Sequence, residues 1–270
     1  MNRDGILDRL TKVPGDRGFY YKNLQTGETL GLGENELFQA ASVIKLPVYA
    51  AVQKLCREGA ASMEETLLCR EEDKMPSCGA LQFFTGEIQA DIKTLCSLMI
   101  ALSDNTATNM LLRRFGLEAL NAQFRQMGLE KTRLERLLFD AQAAAQGREN
   151  RVTPREMGRL LEQIYRREFL SEAVSGQMEA LLLKQQIRHK IPGYLPKNIP
   201  VAHKTGEDSG ITNDVGIVWG PEPFILCFAF NEADVPEAER AGLSRFGSRP
   251  SRQHAILVRW SRRYTRCANT

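Results

Sequence analysis

The chain has 270 residues, 43% of them hydrophobic, enough for one large core or two small ones. Its 36 Lys and Arg nearly balance 33 Asp and Glu, a formal net charge of +3, and only 7% of residues are aromatic, a composition that excludes nucleic acid as the main partner. No apolar stretch is long enough to span a membrane, and the six cysteines contain no C-x-x-C pair that would suggest zinc or redox chemistry.

The N-terminus carries Arg3, Asp4, Asp8 and Arg9 and lacks an apolar leader core, so the expected location is the cytoplasm with reduced thiols, or outside it if a leader precedes these residues. Ile6, Leu7 and Leu10 sit at helical spacing and predict a short amphipathic helix over 4–10. Two strand-like runs about Gln25-Thr26-Gly27 predict a hairpin. From Ala41 to about Ile187 the pattern is helical. Asp91 opens a helix with Leu95, Leu98, Met99 and Leu102 on one face. Gly116 stands where a helix should end. Thr153-Pro-Arg-Glu156 reads as a capping box with proline at the first helical position. After a proline-rich turn at 191–196, three strands are predicted, beginning at Val201, Asp214 and Phe224, and a last helix over Ser251 to Tyr264 presents Ile256, Leu257 and Trp260 inward.

Strands at both ends enclosing a helical middle predict an α/β (α+β sandwich) protein. Its antiparallel sheet is built from both termini and flanked by helices, with an all-helical subdomain inserted. The expected division is a sheet lobe (1–40 with 190–270) and a helical lobe (41–189), with a cleft at the seam. Three short motifs fall at that seam: Ser42-Val-Ile-Lys45, Ser103-Asp-Asn105 and Lys204-Thr-Gly206. Ser42 and Lys45, three residues apart, share one helix face, and an adjacent lysine of lowered pKa activates a serine hydroxyl. Ser103 and Lys204 add a second hydroxyl and a second ammonium. The set is complete for acyl transfer without a histidine.

With these three motifs in this order, and with the neighbouring segments Phe38-Gln-Ala-Ala-Ser42, Leu102-Ser-Asp-Asn-Thr-Ala107 and Ala202-His-Lys-Thr-Gly206, the chain resembles the class A β-lactamase superfamily of penicillin-recognising serine hydrolases along nearly its whole length. The resemblance implies the β-lactamase/transpeptidase-like fold and a covalent acyl-enzyme on Ser42, with Lys45 in proton transfer. It further implies that Ser103 passes a proton to the leaving nitrogen and that Lys204 holds the substrate carboxylate. Asn105 would bond the substrate amide, Thr205 and Gly206 would complete the substrate-binding segment, and the oxyanion hole would be the backbone N–H groups of Ser42 and Glu207. The substrate class implied is a β-lactam or a peptide-like amide. No cofactor, metal, nucleic acid or membrane is expected, and the chain is expected to be a monomer.

In one place the chain departs from that family. Class A enzymes carry a glutamate, with an asparagine four residues on, that orients the water for deacylation. The segment 136–151 has no E-x-x-x-N, and the expected glutamate position falls near Leu137. Of the nearby carboxylates Glu135, Asp140 and Glu149, Asp140 is the candidate substitute base, its other reading being a loop residue that bonds backbone amides. The rival functions are therefore a penicillin-binding or peptidase-like acyl-transferase with slow deacylation, and a non-catalytic protein binding a cell-wall-like ligand. His203, next to Lys204 on a strand, points away from the cleft, so a Ser-His-Asp triad is unsupported. Gly31-Leu-Gly33 lacks the helix of a nucleotide loop. The arginines from Arg252 to Arg266 read as a solvated helix face. Cys96 matches one end of a disulfide found in some relatives, but Tyr49 occupies the other.

Overall fold

The computed structural model describes residues 3–236, with 238 and 239. In chain order the elements are α1 (Arg3–Leu10), β1 (Asp16–Asn23), β2 (Thr29–Leu32), β3 (Phe38–Gln39), a 3₁₀ turn (Ala41–Ile44), α2 (Lys45–Arg57), β4 (Thr66–Cys69), β5 (Ile88–Asp91), α3 (Ile92–Ala101), α4 (Asn105–Phe115) and α5 (Leu117–Gln126). There follow α6 (Ala141–Ala145), β6 (Arg151–Val152), α7 (Pro154–Tyr165), α8 (Glu172–Leu182), β7 (Val201–Asp208), β8 (Ile211–Val218) and β9 (Phe224–Asn231). The helix expected over Ser251 to Tyr264, with its arginines, lies outside the described residues.

The main sheet has five strands in the order β2-β1-β9-β8-β7, all antiparallel, so the two ends of the chain meet where Phe19 pairs with Phe228. The expected hairpin joins β1 to β2, with Gly27 at φ +75°. The run Phe224-Ile-Leu-Cys-Phe-Ala-Phe is apolar throughout because β9 is covered on both faces. Ile225 and Cys227 join the core shared with the helices, while Leu226, Phe228 and Phe230 pack with Leu10, Val13 and Phe19 on the opposite face. The polypeptide between β3 and β7 is helical apart from two short pairs, β4 with β5 and β3 with β6. Leu67 and Leu68 alternate with too few apolar neighbours to announce so short a strand.

Local signals set the helix ends. Asp91 Oδ1 accepts from Thr94 N at 2.6 Å to cap α3, and Gly116 at φ +79° closes α4 with its N–H on Leu112 O. The capping box at α7 is only half formed. Thr153 Oγ1 caps Glu156 N at 3.1 Å, but the Glu156 carboxylate turns away to accept from Lys131 N, Thr132 N and Thr132 Oγ1 at 2.6–2.8 Å. Three buried donors on a neighbouring turn are stronger partners for a carboxylate than one cap N–H. The five described cysteines are free thiols, and no described helix is long and apolar enough to cross a membrane.

Candidate active site

The segment ahead of Ser42 is tied to the sheet. Asn213 Nδ2 donates to the carbonyls of Gln39 and Ala40 at 2.9 and 3.1 Å, and Asn231 Oδ1 accepts from Gln39 N at 2.7 Å. Ala41 then takes φ +42°, and Ser42 lies in the 3₁₀ turn that leads into α2. The expected α-helical start is tightened here. In a 3₁₀ turn residues three apart eclipse, which sets Ser42 directly over Lys45. Ser42 Oγ and Lys45 Nζ are 2.9 Å apart.

The Lys45 side chain is completely buried, and its Nζ also lies 2.7 Å from Ser103 O, 3.0 Å from Ser103 Oγ and 2.8 Å from Asn105 Oδ1. Two of these partners, Ser103 O and Asn105 Oδ1, are carbonyl oxygens that can only accept. A neutral amine meets them with its two N–H groups and keeps its lone pair for a hydroxyl proton. Burial, then the neighbouring Lys204 ammonium, hold Lys45 well below the ordinary lysine range. The second lysine, also completely buried, places Nζ 3.1 Å from Ser103 Oγ and 2.8 Å from Thr205 O. Burial brings Lys204 down to about 7, against the opposing pull of Asp214. Ser103 Oγ therefore lies between two amines.

Ser103 reaches that point through a left-handed backbone, φ +55°. The middle residue of its motif is structural. Asp104, 1% exposed, caps α4 through Ala107 N at 2.9 Å and accepts from Ala80 N and Leu81 N at 2.7 and 2.9 Å, fixing the loop that walls the cleft. The third motif needs its glycine. A Cβ on Gly206 would stand 2.8 Å from Ala40 O and 3.2 Å from Ser42 N, so only glycine lets β7 press against the turn that carries Ser42 and bring Glu207 beside it. Thr205 is buried, and its carbonyl serves Lys204.

These groups border a cleft of about 240 Å³ lined by Ser42, Asn105, Arg136, Leu138, Phe139, Glu149, Glu207 and Asp208, among others. Four of the seven described non-glycine residues with positive φ belong to this region: Ala41, Ser77, Ser103 and Phe139. Strain of this kind gathers where a binding site over-determines the backbone.

The loop from Arg136 to Arg151 sharpens two expectations. Asp140 takes the second of its two expected readings: it is the N-cap of α6, its Oδ1 accepting from Ala143 N at 2.9 Å, and it is not among the residues that line the cleft. The side chain that faces the cleft from the expected glutamate region is Leu138, one residue beyond Leu137, which packs on the core instead. Asn109 clamps that position, accepting from Leu138 N and donating to Leu138 O, both at 2.9 Å. Glu149 reaches the cleft but is engaged by Arg136 at 2.8 Å, and Glu135 pairs with Arg133 at 3.3 Å.

Two further features escaped the sequence. Lys190 is completely buried beneath β7, with Nζ 2.9 Å from Gly206 O, 2.7 Å from Thr212 Oγ1 and 3.2 Å from Glu207 Oε1. His189, Glu207 and Glu239 bring ligand-type atoms within 4.8 Å of one another, but the Lys190 ammonium already supplies positive charge there. His203, as expected, lies off the cleft, its Nδ1 3.0 Å from Asp214 Oδ1.

Residues 3–249 match the profile of the Beta-lactamase enzyme family. The chain belongs to that family. It is a serine hydrolase of the family's α/β fold. A β-lactamase of Streptomyces albus G is 28% identical over 88% of this chain and 79% of its own length. The β-lactamase of Sphaerobacter thermophilus superposes with a TM-score of 0.82 at 27% identity, covering 91% of this chain and 95% of that one. A protein described as PBP-A superposes with a TM-score of 0.81 at 29% identity, covering 90% and 93%, and a point mutant of it is described as an acyl-enzyme complex with penicillin G.

Proposed function

We propose that this enzyme opens β-lactams, or related peptide-like amides, through a covalent acyl-enzyme on Ser42. The observation that carries the reading is the Lys45 amine, buried and within hydrogen-bond reach of Ser42 Oγ, Ser103 and Asn105 at once. The neutral amine takes the Ser42 proton as Oγ bonds to the amide carbon. The oxyanion so formed faces the N–H groups of Ser42 and Glu207 at the start of α2, where the helix dipole also favours negative charge. As the C–N bond breaks, Ser103 gives its proton to the departing nitrogen and is resupplied by Lys45, 3.0 Å away, which carries the proton taken from Ser42. Protonated Lys204 holds the substrate carboxylate, and Asn105 bonds the amide side chain.

Intact-mass spectrometry after incubation with a penicillin tests this. The expected result is one added penicillin mass that maps to the Ser42 peptide and is lost in Ser42→Ala. An adduct that persists in that variant refutes the assignment.

The structure also favours a slow second half-reaction, in the manner of a penicillin-binding protein. Leu138 faces the cleft where a carboxylate would orient water, and Glu149 is held by Arg136. A chromogenic cephalosporin should then give a burst of about one equivalent followed by a slow steady state. Linear turnover with no burst would leave hydrolysis as fast as acylation and remove this second reading.

A further inference from the structure

The catalytic cleft carries one carboxylate that nothing among the described residues neutralises. Glu149 is compensated by Arg136, and the Glu207 carboxylate by Lys190 at 3.2 Å and His189 at 2.6 Å. Asp208 also lines the cleft, is exposed, and makes no ion pair among the described residues. Its Oδ1 only accepts from the adjacent Ser209 N at 2.8 Å.

The pleat of β7 explains the difference. Alternate residues share a face, so Lys204, Gly206 and Asp208 point to the cleft side while Glu207 turns its side chain to Lys190 behind the strand. Under the proposed reaction, on which this inference rests, the substrate carboxylate lies at Lys204 and the scissile carbonyl at Glu207 N–H. The acyl substituent continues in the same direction and arrives at Asp208. Across the cleft, Leu138 and the 52% exposed Phe139 offer an apolar wall.

We infer that Asp208 selects acyl donors that carry a positively charged amine close to the scissile carbonyl, together with an apolar or aromatic group for the Leu138–Phe139 wall. The carboxylate attracts the ammonium, while the rings and methyls opposite remove the apolar part from water.

Ampicillin and penicillin G are a matched pair for the test, since both carry a phenyl group and only ampicillin bears an α-amine. The measurement is the second-order acylation rate of each by intact-mass time course, buffered below the pKa of that amine, in wild type, Asp208→Asn and Asp208→Lys. An Asn Oδ1 keeps the bond to Ser209 N, so the first variant removes charge alone. Wild type should favour ampicillin by about two- to five-fold relative to the ratio in Asp208→Asn, the range of an exposed ion pair. That advantage should shrink at 1 M salt, and Asp208→Lys should push the ratio below the Asn value. Equal ratios in all three proteins overturn the inference while leaving Ser42 acylation intact. No adduct from either penicillin in wild type overturns the acyl-enzyme reading and this inference with it.

Discussion

Under the proposed slow second half-reaction, Leu138→Glu should speed deacylation. The substitution places a carboxylate on a backbone position that Asn109 already clamps through two 2.9 Å hydrogen bonds, so no loop rebuilding is required. Leu138 is half-buried at the cleft wall, so losing part of its apolar contact costs on the order of 1 kcal/mol, a small fraction of ordinary domain stability. The new carboxylate would enter the cleft that Ser42 also lines. A positioned general base contributes about 10²–10⁴-fold. The acyl-enzyme lifetime should therefore shorten by that factor, and the burst with a chromogenic cephalosporin should fade as deacylation overtakes acylation. Leu137→Glu is the control. Leu137 packs on the core, so its replacement should lower stability by about 2–3 kcal/mol with no gain in turnover. Decay of the penicillin adduct followed by intact mass, with thermal melts on each protein, decides the matter. A folded Leu138→Glu enzyme whose adduct persists as long as the wild-type one would refute the idea that this position alone limits hydrolysis.

Lys45→Met should slow acylation by about 10²–10⁴-fold, read as the burst rate, because Ser42 loses its proton acceptor; a near wild-type burst would move the base elsewhere. The pH profile of acylation should be bell-shaped. It falls on the acid side as Lys45 gains a proton at its lowered pKa, and above about 7 as Lys204 loses the charge that holds the substrate carboxylate. A β-lactam whose carboxylate is esterified should lose the alkaline limb, and an unchanged limb would detach it from Lys204. The same lysine also affects folding. Its pKa is about 7 folded and near the ordinary lysine value unfolded, so the unfolded chain binds the extra proton between them. Its contribution to stability is full above the unfolded value and declines as pH falls toward about 7, a trend that urea melts across this range should reveal as a shift between wild type and Lys204→Met. Asp104→Ala should cost about 2–4 kcal/mol in such melts, since a buried helix cap and two loop N–H groups lose their acceptor together.

The candidate acylating residues stood out because three motifs, each weak alone, occur together and in order. A serine and a lysine three apart can also meet on one helical turn. The sheet was legible for a similar reason, since β1, β7, β8 and β9 each read as a strand in isolation. What the chain alone could not supply was the partner of each polar group. Glu156 looks like half of a capping box, yet Thr132 and Lys131 capture its carboxylate from a loop that is distant in sequence. Asp140 could be read as a base or as a loop residue bonding amides, and only the fold shows it capping a helix, while counting along an aperiodic loop reached the neighbourhood of Leu137 without singling out Leu138. Lys190, an ordinary lysine in the sequence, becomes a buried counter-charge under β7.

By itself, then, the sequence picked out Ser42, Lys45, Ser103 and Lys204 as the candidate residues and marked the strands of the sheet, because those signals lie within single segments. Tertiary structure alone decided that both lysines are buried with lowered pKa values, which carboxylate is left uncompensated among the described residues and which side chains line the cleft. Those properties come from desolvation and from charges carried by segments far apart in the chain, and neither exists until the segments pack.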